Sequence, residues 1–172
     1  MVTAPQMRLG YYTQHQMDTL RPDTTVLGEI RRLSDPRTTE EELMSVLGLF
    51  LLGQEYFDRQ VSKLSGGEKS RLVLASLFLK RCNFLLLDEP TAALDPLAEN
   101  DIYQKYKDMT AGKTSLFISH RLASTRFCDR IIFVADGHIT EEGTHDQLLA
   151  RGGAYAKLFE VQSRYYQEGK AF

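Results

Sequence analysis

Residues 84–95 read Phe-Leu-Leu-Leu-Asp-Glu-Pro-Thr-Ala-Ala-Leu-Asp, and no other stretch of the chain restricts its fold as tightly. Phe84 to Leu87 is an unbroken apolar run with no polar face. Such a run predicts a strand covered on both sides, as in a parallel sheet. It ends in two adjacent carboxylates, Asp88 and Glu89, followed by Pro90. Open parallel sheets collect their chemistry at the carboxyl ends of their strands. Charges at the end of a buried strand are costly unless a cation or a reacting group compensates them. Alone, Asp-Glu also fits a strand running into a polar turn.

Two further stretches favour a site. Leu64-Ser65-Gly66-Gly67-Glu68 has the spacing of a capping box, with the Ser65 side chain on the backbone N–H of Glu68 and the Glu68 carboxylate reaching back. A helix is predicted from there to about Arg81, with Leu74, Leu77 and Phe78 at helical spacing. Two glycines in its first turn cost roughly 1 kcal/mol each in helix propensity. That cost has a purpose if a ligand must approach the backbone, because bare N–H groups and the helix dipole form an anion site suited to phosphate. The second stretch, 114–119, is another apolar strand, and it delivers His120.

Leu-Ser-Gly-Gly-Glu, Leu-Leu-Leu-Asp-Glu-Pro-Thr, Ala-Leu-Asp and Ser-His occur in that order and spacing. Together they resemble an ATP-binding-cassette (ABC) ATPase domain over nearly the whole chain. The resemblance implies an α/β fold, an incomplete P-loop NTPase with a mostly parallel sheet and a helical subdomain. Residues 18–80 would form the helical subdomain with the signature motif, and 8–14 with 81–172 the RecA-like part.

Composition adds limits. The 172 residues suffice for one domain with a real core. Lys plus Arg number 21 against 23 for Asp plus Glu, so no general attraction to DNA, RNA or anionic lipid is expected. No apolar run approaches the roughly 20 residues of a membrane span, and the N-terminus lacks the features of a signal peptide. Cys82 and Cys128 have neither metal nor redox spacing and read as reduced, structural thiols in a cytosolic setting.

Along the chain, residues 8–13 have the flavour of a strand ending near Gln14. Asp23-Thr24-Thr25 can cap a short helix through Ile30, and Asp35-Pro36 marks a turn. Thr39 and Glu42 predict a second capping box, opening a helix with Leu43, Val46, Leu47 and Phe50 on one face. Asp95 with Pro96 opens a helix lined by Ile102, Tyr106 and Met109. Gly112-Lys113-Thr114 imitates a phosphate loop, but the earlier glycine falls at Lys107 and the helix comes before the strand. Gly112 is therefore a helix terminator. A strand over 130–135, a tight turn at Asp136-Gly137, a strand over 138–142 and helices near 144–150 and 155–167 follow. Leu158, Val161 and Tyr165 are expected to dock the last helix, and His15, His138 and His145 read as surface residues.

In ABC cassettes two domains sandwich two ATP molecules. By resemblance Asp88 would hold Mg²⁺, Glu89 would polarise the attacking water and His120 would contact the γ-phosphate. Ser65, Gly66, Gly67 and Glu68 would grip the partner's ATP, and Asp95 would lie at the dimer seam. Gln14 would be the Q-loop residue near Mg²⁺ and the water. The adenine-stacking aromatic and the P-loop of such a cassette precede the Q-loop, and neither occurs in these residues. The chain therefore looks like the back part of a cassette, with an exposed sheet flank and doubtful activity alone.

Residues 8–90 look like the soluble, ribosome-associated ABC-F group, whereas 91–172 look like ABC exporter domains. A splice near 88–91 is expected from that contrast. The resemblance implies a second cassette as partner, plus a transmembrane domain in a transporter or a ribosome in an ABC-F protein. The leading expectation is an ATPase driving transport, cytoplasmic at the inner face of a membrane. The alternatives are an ABC-F-type ATPase and a non-catalytic fragment or chimera.

Overall fold

A computed structural model of the protein describes residues 6–13, 18–92, 102 and 110–168. These fall into two compact units, one reaching Ile118 and the other starting at Ser119. Each unit has its own hydrophobic core.

The first unit holds three parallel strands, β1 (Leu9–Tyr12), β2 (Phe84–Asp88) and β3 (Thr114–Ile118), with β2 in the middle. Leu85 pairs with Gly10 and Ser115, and Leu87 with Tyr12 and Phe117. Gly10 is required there, because a Cβ would lie 2.8 Å from Leu85 Cδ2 and 2.9 Å from Cys82 Sγ. Side chains alternate along a strand, so Leu85 and Leu87 share one face and are fully buried. On the other face Phe84, Leu86 and Asp88 are only half-buried. Their neighbours Leu9, Tyr11, Leu116 and Ile118 are 42% to 48% exposed. The expectation of a strand covered on both sides is thus corrected: among the described residues, the helical core packs against the Tyr12, Leu85 and Leu87 face alone.

Among the described residues, three complete helices build that core. Thr25 caps α1 (Val26–Leu33) by accepting from the Gly28 N–H, and the helix runs three residues beyond Ile30 to a stop at Ser34. Arg31 and Arg32 in its last turn suit the negative end of the dipole. The Thr39–Glu42 capping box opens α2 (Glu40–Leu49), which buries Leu43 and Leu47. The Ser65–Glu68 box opens α3 (Gly66–Leu79). This helix ends two residues before Arg81, which adopts a left-handed φ of 53°. Every residue from 72 to 79 is buried, so α3 is not the one-sided helix its leucine spacing suggests. It is enclosed because α1 and α2 flank it while β1 lies against it. Ile102 joins this core, while Asp95, Pro96, Tyr106 and Met109 lie outside the described residues.

The second unit starts with a 3₁₀ turn, Leu122–Phe127, and continues into an antiparallel hairpin of β4 (Ile131–Ala135) and β5 (His138–Gly143). Asp136 and Gly137 close it with φ of 51° and 76°, the left-handed pair of a tight hairpin turn. A third capping box, Thr144 with Gln147, opens α4 (His145–Arg151), and α5 (Ala154–Glu168) follows. Glu141 caps α5 from the hairpin, accepting from the Ala154 and Tyr155 N–H groups at 2.5 and 3.2 Å.

The docking face of α5 differs from expectation. Leu158 and Val161 are 40% and 51% exposed, whereas Tyr155 is fully buried and Phe159 packs on the same core. The Tyr155 hydroxyl meets Thr125 Oγ1 at 2.6 Å and His145 Nδ1 at 2.7 Å. His145 is thus half-buried within a polar and aromatic cluster, not a surface residue. His138 is exposed, as expected, and His15 lies outside the described residues.

Candidate functional site

The signature residues lie together at the start of α3. Ser65 takes extended backbone (φ −64°, ψ 165°), which turns its side chain onto the helix it precedes. Its Oγ accepts from the Glu68 N–H at 3.2 Å, and Glu68 Oε2 accepts from the Ser65 N–H at 2.7 Å. Ser65 and Gly66 are exposed, and a Cβ on Gly66 would meet nothing within 4 Å. The helix N-terminus is therefore open to an incoming group.

Glu68 has further partners. The Tyr56 hydroxyl donates to its Oε1 at 2.9 Å, and Arg59 Nη1 lies 3.9 Å from the same oxygen. Burial pushes the Glu68 carboxyl up, but the Ser65 backbone bond, the Tyr56 hydroxyl and the Arg59 charge outweigh it and hold the group below its ordinary range. Five residues into α3, Ser70 meets the Tyr12 hydroxyl at 2.5 Å, and both residues are buried. The strand leading to Gln14 is thereby tied to the signature helix.

Asp88 closes β2 opposite Ile118. Glu89 then takes a left-handed φ of 48°, its N–H donating to Ile118 O at 2.9 Å and its carbonyl accepting from Ala92 N at 3.1 Å. A non-glycine residue there costs on the order of 1–3 kcal/mol, the kind of strain that collects at working sites. Pro90 and Thr91, which follow in the turn, are buried.

His120 belongs to the second unit and is exposed. The Gln162 amide brackets it, donating to His120 O at 2.8 Å and accepting from Leu122 N at 2.9 Å. Gln14 and Asp95 lie outside the described residues. Tyr56, Arg59 and Gln162 carry no local sequence signal for these contacts, since their partners stand 9 to 42 positions away.

No group of three or more His, Cys, Asp or Glu side chains converges among the described residues. They contain no all-protein cage for a cation. Asp88 and Glu89 offer hard carboxylate oxygens, which fit Mg²⁺ shared with phosphates and water.

An open signature helix and a strand ending in Asp-Glu define a class, and the chain belongs to it: the ABC transporter family pattern matches residues 1–92. Among its relatives is a Staphylococcus aureus protein named for multidrug export as an ATP-binding/permease protein. It is 36% identical over 141 residues, covering 76% of this chain and 24% of its own. An ATP-dependent lipid A-core flippase of Syntrophus aciditrophicus is 42% identical over 109 residues, covering 63% and 18%. A bacterial Atm1-family ABC exporter with ATP bound is similar in structure, with a TM-score of 0.76 and 28% identity over 90% of this chain and 28% of that one. The chain thus spans about a quarter or less of the curated relatives' lengths. No described helix is long and apolar enough to cross a membrane.

Proposed function

We propose that this chain is part of the ATP-hydrolysing cassette of an exporter, acting with a second cassette at the cytoplasmic face of a membrane. The observation that carries the reading is the open N-terminus of α3, capped by Ser65 and Glu68, in the same unit as the Asp88-Glu89 strand end. Ser65, Gly66 and Gly67 would present hydroxyl and N–H groups to the γ-phosphate of ATP held by the partner. Asp88 would hold Mg²⁺, directly or through water, beside Gln14. When bound, the ion offsets negative charge on the phosphates. Glu89 would orient the attacking water and accept its proton, from a strained backbone turn at the end of β2. His120, steadied by Gln162, would donate to the γ-phosphate, and Asp95 would meet the partner at the seam. Catalysis in this scheme is positioning and charge stabilisation of a loose phosphoryl transition state.

An exporter has more support than a soluble ribosome-associated ATPase or a chimera. A likeness covering 76% of the 172 residues cannot avoid positions 88–91 wherever it begins, so the exporter resemblance runs across the change of character there.

No run in these residues matches Gly-x-x-x-x-Gly-Lys-Ser/Thr. The 172-residue chain alone is therefore expected to release phosphate from MgATP no faster than its Glu89→Gln variant. Mixed with a cassette that has a P-loop but a Ser→Ala signature, it should restore turnover. Ser65→Ala in this chain should abolish that gain. A mixture no faster than the added cassette alone would refute the proposal.

A further inference from the structure

We infer that Tyr56 and Arg59 are positioning residues of the signature clamp, holding the Glu68 carboxylate aside and charge-compensated so that a phosphate can approach the N-terminus of α3. The inference rests on reading residues 65–68 as that clamp.

A glutamate in a first helical turn is ordinarily favourable, because it complements the positive end of the dipole. At a site that receives phosphate it becomes a liability, since the carboxylate and the ligand carry like charge over the same N–H groups. The chain's other capping boxes provide an internal comparison. Those at Thr39 with Glu42 and at Thr144 with Gln147 form without any tyrosine-arginine brace among the described residues. The box at Ser65 has one. Tyr56, at the end of a 3₁₀ turn (Gln54–Tyr56), donates to Glu68 Oε1 at 2.9 Å. Arg59 lies over the Tyr56 ring, its guanidinium carbon 4.4 Å from the centroid, with Nη1 3.9 Å from that oxygen. Both Glu68 oxygens are therefore occupied, one by the Ser65 N–H and one by this brace. The Glu68 side chain is only 16% exposed, whereas Ser65 and Gly66 beside it are open. The carboxylate is withdrawn and the donor end of the helix presented. The same bond to Glu68, with burial behind it, pushes the Tyr56 phenol up, so it remains a donor at neutral pH.

The test uses the complementing mixture, this chain with the P-loop cassette bearing a Ser→Ala signature, and MgATP as probe. Arg59→Gln should raise KM about tenfold with little change in kcat, as expected for one like-charge contact at a partly exposed seam. The rise should shrink in high salt. Tyr56→Phe, which keeps the ring, should show a smaller rise in the same direction. Adding Glu68→Gln to Arg59→Gln should bring KM back to that of Glu68→Gln alone, because no charge is left to restrain. A purely structural role would lower the melting temperature and give no such rescue. Unchanged KM in both single variants, or no rescue in the double variant, would overturn the inference while leaving the clamp intact. If Ser65→Ala itself left turnover unchanged, the clamp reading and this inference would fall together.

Discussion

Glu29 is a fully buried carboxylate, and its surroundings explain why the chain tolerates it. Oε1 accepts from the Arg21 N–H at 2.8 Å, Oε2 accepts from Thr24 Oγ1 at 3.1 Å, and Arg32 grips both oxygens. Arg32 also donates to Thr19 O at 3.0 Å, so the pair ties the loop before α1 to the helix. Burial pushes the carboxyl up, but the bonds from Arg32, Arg21 and Thr24 and the Arg32 charge outweigh it, leaving the group below its ordinary 4.5. A carboxyl depressed in the folded state stabilises the fold above its unfolded pKa and loses that contribution as pH falls through the folded one. Glu29→Gln should therefore cost about 1.5–3 kcal/mol at pH 7. The urea midpoints of variant and parent should converge as pH drops below 4.5. Parallel midpoint curves down to acid pH would contradict the assignment. At this scale the sequence was readable where partners lie three residues apart, as in the Ser65–Glu68 box. It was silent on Arg21 at Glu29 and on Tyr56 at Glu68, because intervening turns bring those groups together. The left-handed Glu89 was hidden for another reason: a residue before proline is ordinarily extended.

Helix α5 carries two stripes with helical spacing, and apolarity alone selects the wrong one. Leu158 and Val161 belong to the stripe that stays exposed, while Tyr155, Phe159 and Gln162 form the stripe that docks. The second wins through polar partners that a hydrophobic pattern cannot register. Tyr155 buries its ring and still satisfies its hydroxyl on Thr125 and His145, and Gln162 brackets the His120 backbone. Tyr155→Ala should thus cost about 3–5 kcal/mol, as for other buried aromatics. Leu158→Ala should stay within about 0.5 kcal/mol of the parent. Thermal unfolding of the second unit, followed through its near-ultraviolet signal, compares them directly. Equal costs would restore the Leu158 stripe as the docking face. The strands, the hairpin turn and the capping boxes at Thr39 and Ser65 were legible because each depends on a short local pattern. The lengths of α1 and α3 were less so, since the basic pair Arg31 and Arg32 separates Ile30 from Leu33, which extends the α1 core face, and Arg81 ends α3 through its backbone.

Across the whole molecule, the unresolved physical tension is the outer face of the three-stranded sheet. Leu9, Tyr11, Leu116 and Ile118 form an apolar patch there, and β1 and β3 each have a strand partner on only one side among the described residues. Edges and patches of this kind favour association. Magnitude decides what sort. Each half-exposed side chain retains about 1 kcal/mol of the roughly 1.5–3 that full burial yields, or about 4 kcal/mol for the four. Association costs roughly 4–15 kcal/mol in lost freedom, so this face alone cannot hold a tight, specific dimer. The hairpin of the second unit adds Ile132, Val134 and Ile139 as a further exposed face, which extends the same tendency without naming a fixed geometry. A face-to-face pair would gain about 8 kcal/mol, of which at most about 4 survives the smallest of those association costs. The isolated chain should therefore be mainly monomeric at micromolar concentration and associate progressively towards about millimolar. Tyr11→Lys with Leu116→Lys should suppress that rise while leaving the melting temperature nearly unchanged, because both side chains already face solvent. Size-exclusion chromatography with light scattering over a concentration series reads the difference. A tight dimer at micromolar concentration, or association indifferent to the two lysines, would mean that the sheet face is not what brings the chains together.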